Sequence, residues 1–180
     1  NLSFSYTWMS SDRFGFVRKA NLHNLGSQPA SCRFIDGLQN LLPANVDRDM
    51  QTVFSTLVDA YKKNELLPES GIGIYALSSI PVDRAEPSES LTANTVWSTG
   101  LDDPVYLLST CQLDDFRQGK SIKQETDMCG VRGAYLVQSK TTLLAGGSTE
   151  WFIVAETNQD ACDIAELETK RPSKSELLAD

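Results

Sequence analysis

The stretch FGFVRKANLHNLGSQPASCRFIDGLQNLLP, Phe14 to Pro43, narrows the choice of fold more than any other. Phe14, Phe16, Arg18, Ala20, Leu22 and Asn24 fall on one face of an extended chain, and Gly15, Val17, Lys19, Asn21 and His23 on the other. A repeat of two marks a strand. Leu25-Gly26-Ser27 reads as a tight turn, with Gly26 able to take a positive φ. The chain runs extended again from Pro29 to about Asp36. Gly37 is expected to end that strand, with GLQNLLP leading into a helix. The expectation is two long strands in a hairpin, hence an antiparallel sheet.

The same period recurs along the chain. Leu2, Phe4, Tyr6 and Trp8 alternate with Ser3, Ser5 and Thr7, as in a half-buried strand. Ile72–Leu77, Leu91–Ser98 and Val105–Leu108 read as short strands. Val131–Leu144 and Thr149–Glu156 read as long ones joined by a hairpin at Gly146-Gly147. Helical spacing appears over residues 45–64, where Val46, Met50, Val53, Phe54, Leu57, Val58 and Tyr61 form an apolar stripe expected to pack onto the sheet. Asn45 would cap that helix, and Lys62-Lys63 would close its last turn. Thr110 would cap a short helix with Leu113 and Phe116 inward and Gly119 after its end, and Asn158 a last one with Ala161, Cys162, Ile164, Ala165 and Leu167 inward. Ser173-Lys174-Ser175-Glu176 has the capping-box pattern of another helix. Val82–Glu89 reads as an exposed loop and Lys120–Asp127 as a polar, mobile one. About nine strands and two to four helices imply a mainly β protein, a large antiparallel β-sandwich with inserted and C-terminal helices. Residues 1–157 would form the sandwich, and 158–180 linker helices leading into a further domain. The opening NLSFSYTW has no Met and no signal-peptide pattern, and the chain reads as a piece of a longer protein.

Charge and composition limit the function. With 16 basic against 24 acidic residues the formal charge is −8, which argues against a nucleic-acid surface or an anionic membrane as partner. No run approaches a membrane span of about 20 apolar residues. The expected compartment is the cytoplasm, with export left open. Cys32, Cys111, Cys129 and Cys162 form no CxxC, and His23 is the one histidine, so no zinc site is expected. Two disulfides would suit an exported protein. A domain of this size needs no staples, and the favoured reading is four reduced thiols, at least three packed as small apolar groups.

Catalysis needs groups that exchange protons or attack within contact distance. His23 sits mid-strand, in no nucleophile motif. Gly71-Ile72-Gly73 lacks the rest of a phosphate loop. Asp102-Asp103 and Asp114-Asp115 are explained as turn and helix-start residues, and Asp36 at its strand end could be buried. No catalytic residue, metal ligand or cofactor is expected. Sugar binding uses aromatic faces with polar neighbours, and Trp8 in TWMSSD and Trp97 in VWSTGLDD are the candidates, although core packing is the favoured reading for each.

Val17-Arg18-Lys19-Ala20-Asn21-Leu22-His23-Asn24, the turn from Gly26 to Pro29, and Glu150-Trp151-Phe152-Ile153-Val154-Ala155-Glu156 followed by a helix together carry a resemblance. They are similar to the N-terminal β-supersandwich (galactose mutarotase-like) domain of cellobiose phosphorylase-like proteins, glycoside hydrolase family 94 and its family 36-like relatives. The resemblance implies a non-catalytic sandwich packed on a downstream (α/α)6 catalytic barrel. It would shape the barrel's sugar cleft, contact oligosaccharide and take part in a homodimer. The parent would hydrolyse or phosphorolyse glycosidic bonds. The long helix over residues 45–64 departs from the family's compact sandwich. The alternative is a stand-alone carbohydrate-binding or protein-interaction module.

Overall fold

The computed structural model describes residues 1–79 and 90–179. The Val82–Glu89 loop expectation lies outside them. The protein is mainly β, with two antiparallel sheets facing each other. The large sheet has seven strands in the order β1 (Leu2–Ser11), β2 (Gly15–Asn24), β10 (Ser148–Gln159), β6 (Ala93–Thr99), β5 (Ile72–Leu77), β4 (Lys62–Leu67) and β8 (Asp127–Cys129). The small sheet is β3 (Ala30–Leu41), β9 (Gly133–Leu143) and β7 (Val105–Leu107). Between them Ala20, Leu22, Tyr75, Val96, Tyr106, Tyr135, Trp151 and Ile153 form the main core. The hydroxyls of its two fully buried tyrosines are satisfied, Tyr75 donating to the Ala134 carbonyl at 2.7 Å and Tyr135 to that of Gly71 at 2.7 Å. Burial pushes both phenols well above their usual range, so they stay protonated donors.

The expected hairpins are arches between sheets. β2 pairs with β1 and β10, whereas β3 pairs with β9, so the turn after Asn24 carries the chain from one sheet to the other. The Gly146-Gly147 turn does the same between β9 and β10. Alternation is identical in a hairpin and an arch, so the sequence pattern could not separate them. Asn24, fully buried, ties the arches together. Its N–H donates to the Gly147 carbonyl at 2.9 Å, and its own carbonyl accepts from Gly146 at 3.1 Å. Its side-chain amide contacts the carbonyls of Gln28, Leu143 and Leu144 at 2.8, 3.2 and 3.1 Å, and its Oδ1 accepts from the Gly26 N–H at 3.0 Å. Gly26 takes no positive φ, because the side chain of Asn24 shapes the turn instead.

Gly37 does not end its strand. β3 runs on to Leu41, and Gly37 is needed there because a Cβ would lie 2.0 Å from the Tyr135 carbonyl oxygen and 2.8 Å from the Leu136 Cα. β1 is not half-buried; as an edge strand it is exposed over nearly its whole length. The single helix expected over residues 45–64 is two short ones, α1 (Arg48–Val53) and α2 (Ser55–Tyr61), followed by β4. Asp47, not Asn45, caps α1, accepting from the Met50 N–H; Asn45 has φ of 63°. Lys62 and Lys63 are strand residues. Only Val46 and Val58 of the apolar stripe are buried, against Leu77, while Val53, Phe54 and Leu57 are exposed. The competing demand was the pairing of β4 with β5, which runs unbroken from Lys62 opposite Leu77 to Leu67 opposite Ile72.

Lys120–Asp127 is anchored by buried Glu125. Its carboxylate accepts from the N–H groups of Leu108 and Ser109 at 2.8 and 2.9 Å, from the Ser109 hydroxyl at 3.1 Å and from Gln112 at 2.8 Å. The helix before it, α3 (Leu113–Arg117), begins at Gln112 rather than at a Thr110 side-chain cap. α4 (Ala161–Thr169) is capped by Asp160 in a capping box with Asp163, not by Asn158. It buries no residue, and only Ile164 and Leu167 of its five expected inward residues are partly covered. α5 (Lys174–Ala179) starts at the expected Ser173–Glu176 box and seats Leu177 on the outer face of the large sheet, beside Phe14, Trp97 and Phe152. All four cysteines are free thiols, but Cys111, Cys129 and Cys162 are exposed rather than packed. No helix among the described residues is long and apolar enough to cross a membrane.

Candidate ligand groove

The large sheet extends beyond the small one on the β1 side. Register places Phe4 opposite Leu22, Tyr6 opposite Ala20 and Trp8 opposite Arg18. Leu22 and Ala20 are inner-face core residues, so the three aromatics continue the inner face. The small sheet stops at β3 and does not cover them. Phe4, Tyr6 and Trp8 remain 48, 56 and 48% exposed.

Two rings of the row, Phe4 and Tyr6, are backed from beneath. The Arg18 guanidinium lies 4.5 Å from the centre of the Tyr6 ring and 5.9 Å from that of Phe4. Trp151 stacks on Phe4 at 5.9 Å and on Phe34 of β3 at 4.8 Å. Arg18 is 6% exposed and would be costly to bury alone; Asp36 of β3 meets it at 2.5 Å. The same carboxylate oxygen accepts from the Trp151 indole N–H at 2.7 Å. Asp36 therefore joins the two sheets and orients the floor of the groove. One oxygen of its side chain is taken up by both Arg18 and Trp151, the arrangement of a structural anchor.

The open space measures about 460 Å³ and is lined by Tyr6, Trp8, Arg18 and the β3 segment Gly37, Leu38, Gln39 and Leu41. It offers aromatic faces, a guanidinium edge and the free edge of a strand. Such a surface can stack planar or ring-shaped ligands and hydrogen-bond their rims.

Of the two tryptophans singled out from sequence, only Trp8 reaches this groove. Trp97 is fully buried on the opposite face of the large sheet, under α5, where no ligand can touch it. Asp36 is partly buried as expected, but mid-strand. Tyr6 and Arg18 were not singled out; their signal was the shared alternation of β1 and β2, which puts them on one face once the strands pair. His23 is a strand residue whose ring meets the Gly146 carbonyl at 3.2 Å. Asp114 and Asp115 form ion pairs with Arg117 and Lys120 at 2.7 and 2.8 Å, as structural residues would. Among the described residues no group of three or more His, Cys, Asp or Glu side chains could hold a metal ion. In comparisons with known proteins, no family model and no curated protein matches this chain.

Proposed function

We propose that this chain is a non-catalytic β-sandwich domain of a carbohydrate-active enzyme, a glycoside hydrolase or phosphorylase, and that the β1–β3 groove contacts its oligosaccharide. One observation carries the reading: three aromatic rings stand in a row, each about half exposed, with Phe4 and Tyr6 backed by Arg18 and Phe4 also by Trp151, and Tyr6 and Trp8 open onto a groove with polar rims. Rings held from beneath lose little freedom when a sugar stacks on their outer faces, which favours binding. Asp36 serves the scaffold, so chemistry is assigned to a downstream (α/α)6 barrel of the same polypeptide, on which the sandwich would pack.

Titration calorimetry with gluco-oligosaccharides is expected to give heat that Trp8→Ala reduces at least about tenfold in affinity, the loss of roughly 1.4 kcal/mol expected for one stacking ring. Trp97→Phe should leave binding unchanged. Absence of heat with every oligosaccharide tried would sink the sugar reading. A parent reading frame that adds no segment with helical-hairpin periodicity would sink the barrel.

A further inference from the structure

β1 is an edge strand that no other described strand covers. It pairs with β2 without a register shift from Leu2 to Ser11 and has no second neighbouring strand among the described residues. Natural sheets guard such edges with charges, prolines or bulges. LSFSYTWMSS has no charge and no proline, and its pairing has no bulge. The strand also reads alike in both directions about Tyr6 over residues 4–8: Ser5 and Thr7 flank it, then Phe4 and Trp8. An antiparallel strand pair related by a two-fold axis requires this kind of self-complementarity.

We propose that β1 pairs with β1 of a second copy of this chain across a two-fold axis at Tyr6, perpendicular to the sheet. Tyr6 then faces the partner's Tyr6, and Phe4 faces the partner's Trp8. Ser5 faces the partner's Thr7 on the opposite face. Aromatic pairs across strands are stabilising, and period-two alternation keeps both rows on the inner face. Charge favours this place of contact. Two copies that each carry −8 repel, and they repel least where the touching strand has no charged side chain. The two small sheets would stand on the same side, with six rings flooring the cleft between them. That the cleft takes sugar rests on the function proposed above; the pairing does not.

Sedimentation equilibrium under reducing conditions tests the pairing without any ligand. The wild type is expected to dimerise. Ser5→Glu with Thr7→Glu sets two like-charged pairs opposite each other and should weaken dimerisation about tenfold or more. Within one chain Thr7 lies opposite Lys19, so the glutamate there is tolerated. Ser5→Lys with Thr7→Glu sets opposite charges across the axis and should restore the dimer. Circular dichroism melts check that both variants fold. A wild type that stays monomeric at every accessible concentration overturns the proposal. So does a double-glutamate variant that dimerises like the wild type, or a lysine–glutamate variant that fails to recover.

Discussion

β1 and β10 lie in the same sheet with only β2 between them, and both place a tryptophan on its inner face. Trp151 of β10 is 1% exposed, whereas Trp8 of β1 is 48% exposed. Two strand spacings, about 10 Å, separate a core residue from a surface one. The cause is the unequal width of the sheets: β3 closes over Trp151 through Phe34 and Asp36, and among the described residues no strand follows β3 to cover β1. Burial here is a property of strand order. The same kind of residue in the same kind of strand is scaffold in one place and available surface in the other.

The sharpest way to break this comparison is to truncate both tryptophans. Trp151→Ala removes a ring packed between sheets and the Asp36 hydrogen bond, and is expected to cost about 3–5 kcal/mol. Trp8→Ala should cost under about 1 kcal/mol. Urea denaturation of the two variants decides; comparable losses would mean that β1 is covered in solution more than the strand order implies.

The arches come next. Asn24→Ala leaves the carbonyls of Gln28, Leu143 and Leu144 and the Gly26 N–H without their shared partner. An expected loss of about 2–3 kcal/mol follows, with faster hydrogen exchange at both turns. A change confined to the first turn would show that the arches are not coupled.

A smaller effect tests the outer face. Glu150 is held by Lys174 of α5 at 2.8 Å and Lys19 of β2 at 3.0 Å. Hydrogen bonds from Lys174 and then Lys19 lower its carboxyl below the usual glutamate range. A carboxyl that is more acidic in the folded chain stabilises the fold at pH values above its unfolded pKa, about 4.3. That contribution fades as pH falls through the lower folded value. Glu150→Gln should therefore flatten the acid limb of the melting temperature against pH and leave the neutral-to-alkaline shape unchanged. An unchanged acid limb would show that α5 is not held by this carboxylate.

The smallest effect is in the thiols. Cys111 and Cys162 should react rapidly with a disulfide reagent in the native protein. Cys129 should be slower at neutral pH, because its hydrogen bond to Asp127 raises the thiol pKa, and Cys32 slower still because burial both raises its pKa and shields it. Equal rates for all four would place Cys32 on the surface.

Much of this architecture was readable in the residues. β2, β5, β6, β7, β9 and β10 fall where the alternation put them, and the Ser173–Glu176 box starts α5. Errors gather where two signals overlap. At residues 45–64 helical spacing ran into a strand whose buried members are Lys62, Asn64 and Leu66, two of them polar. Lys62 can be buried because Asp59 and Gln51 bind its ammonium at 2.8 and 2.6 Å, partners no periodicity reveals. At Gly37 the residue type suggested a break, whereas the strand needs a glycine because Tyr135 crowds it. The groove was legible only at Trp8.

The sequence by itself determined which residues lie on the same face of each strand, because backbone geometry turns successive side chains to opposite sides whatever surrounds them. It thereby determined a mainly β chain with aromatic rows and the local chemistry of its caps. Tertiary structure alone decided which sheet each strand joined, since an arch and a hairpin share one local pattern. It also decided which aromatic row stayed open, because exposure depends on where the opposing sheet ends, and that edge is built from residues distant in the chain.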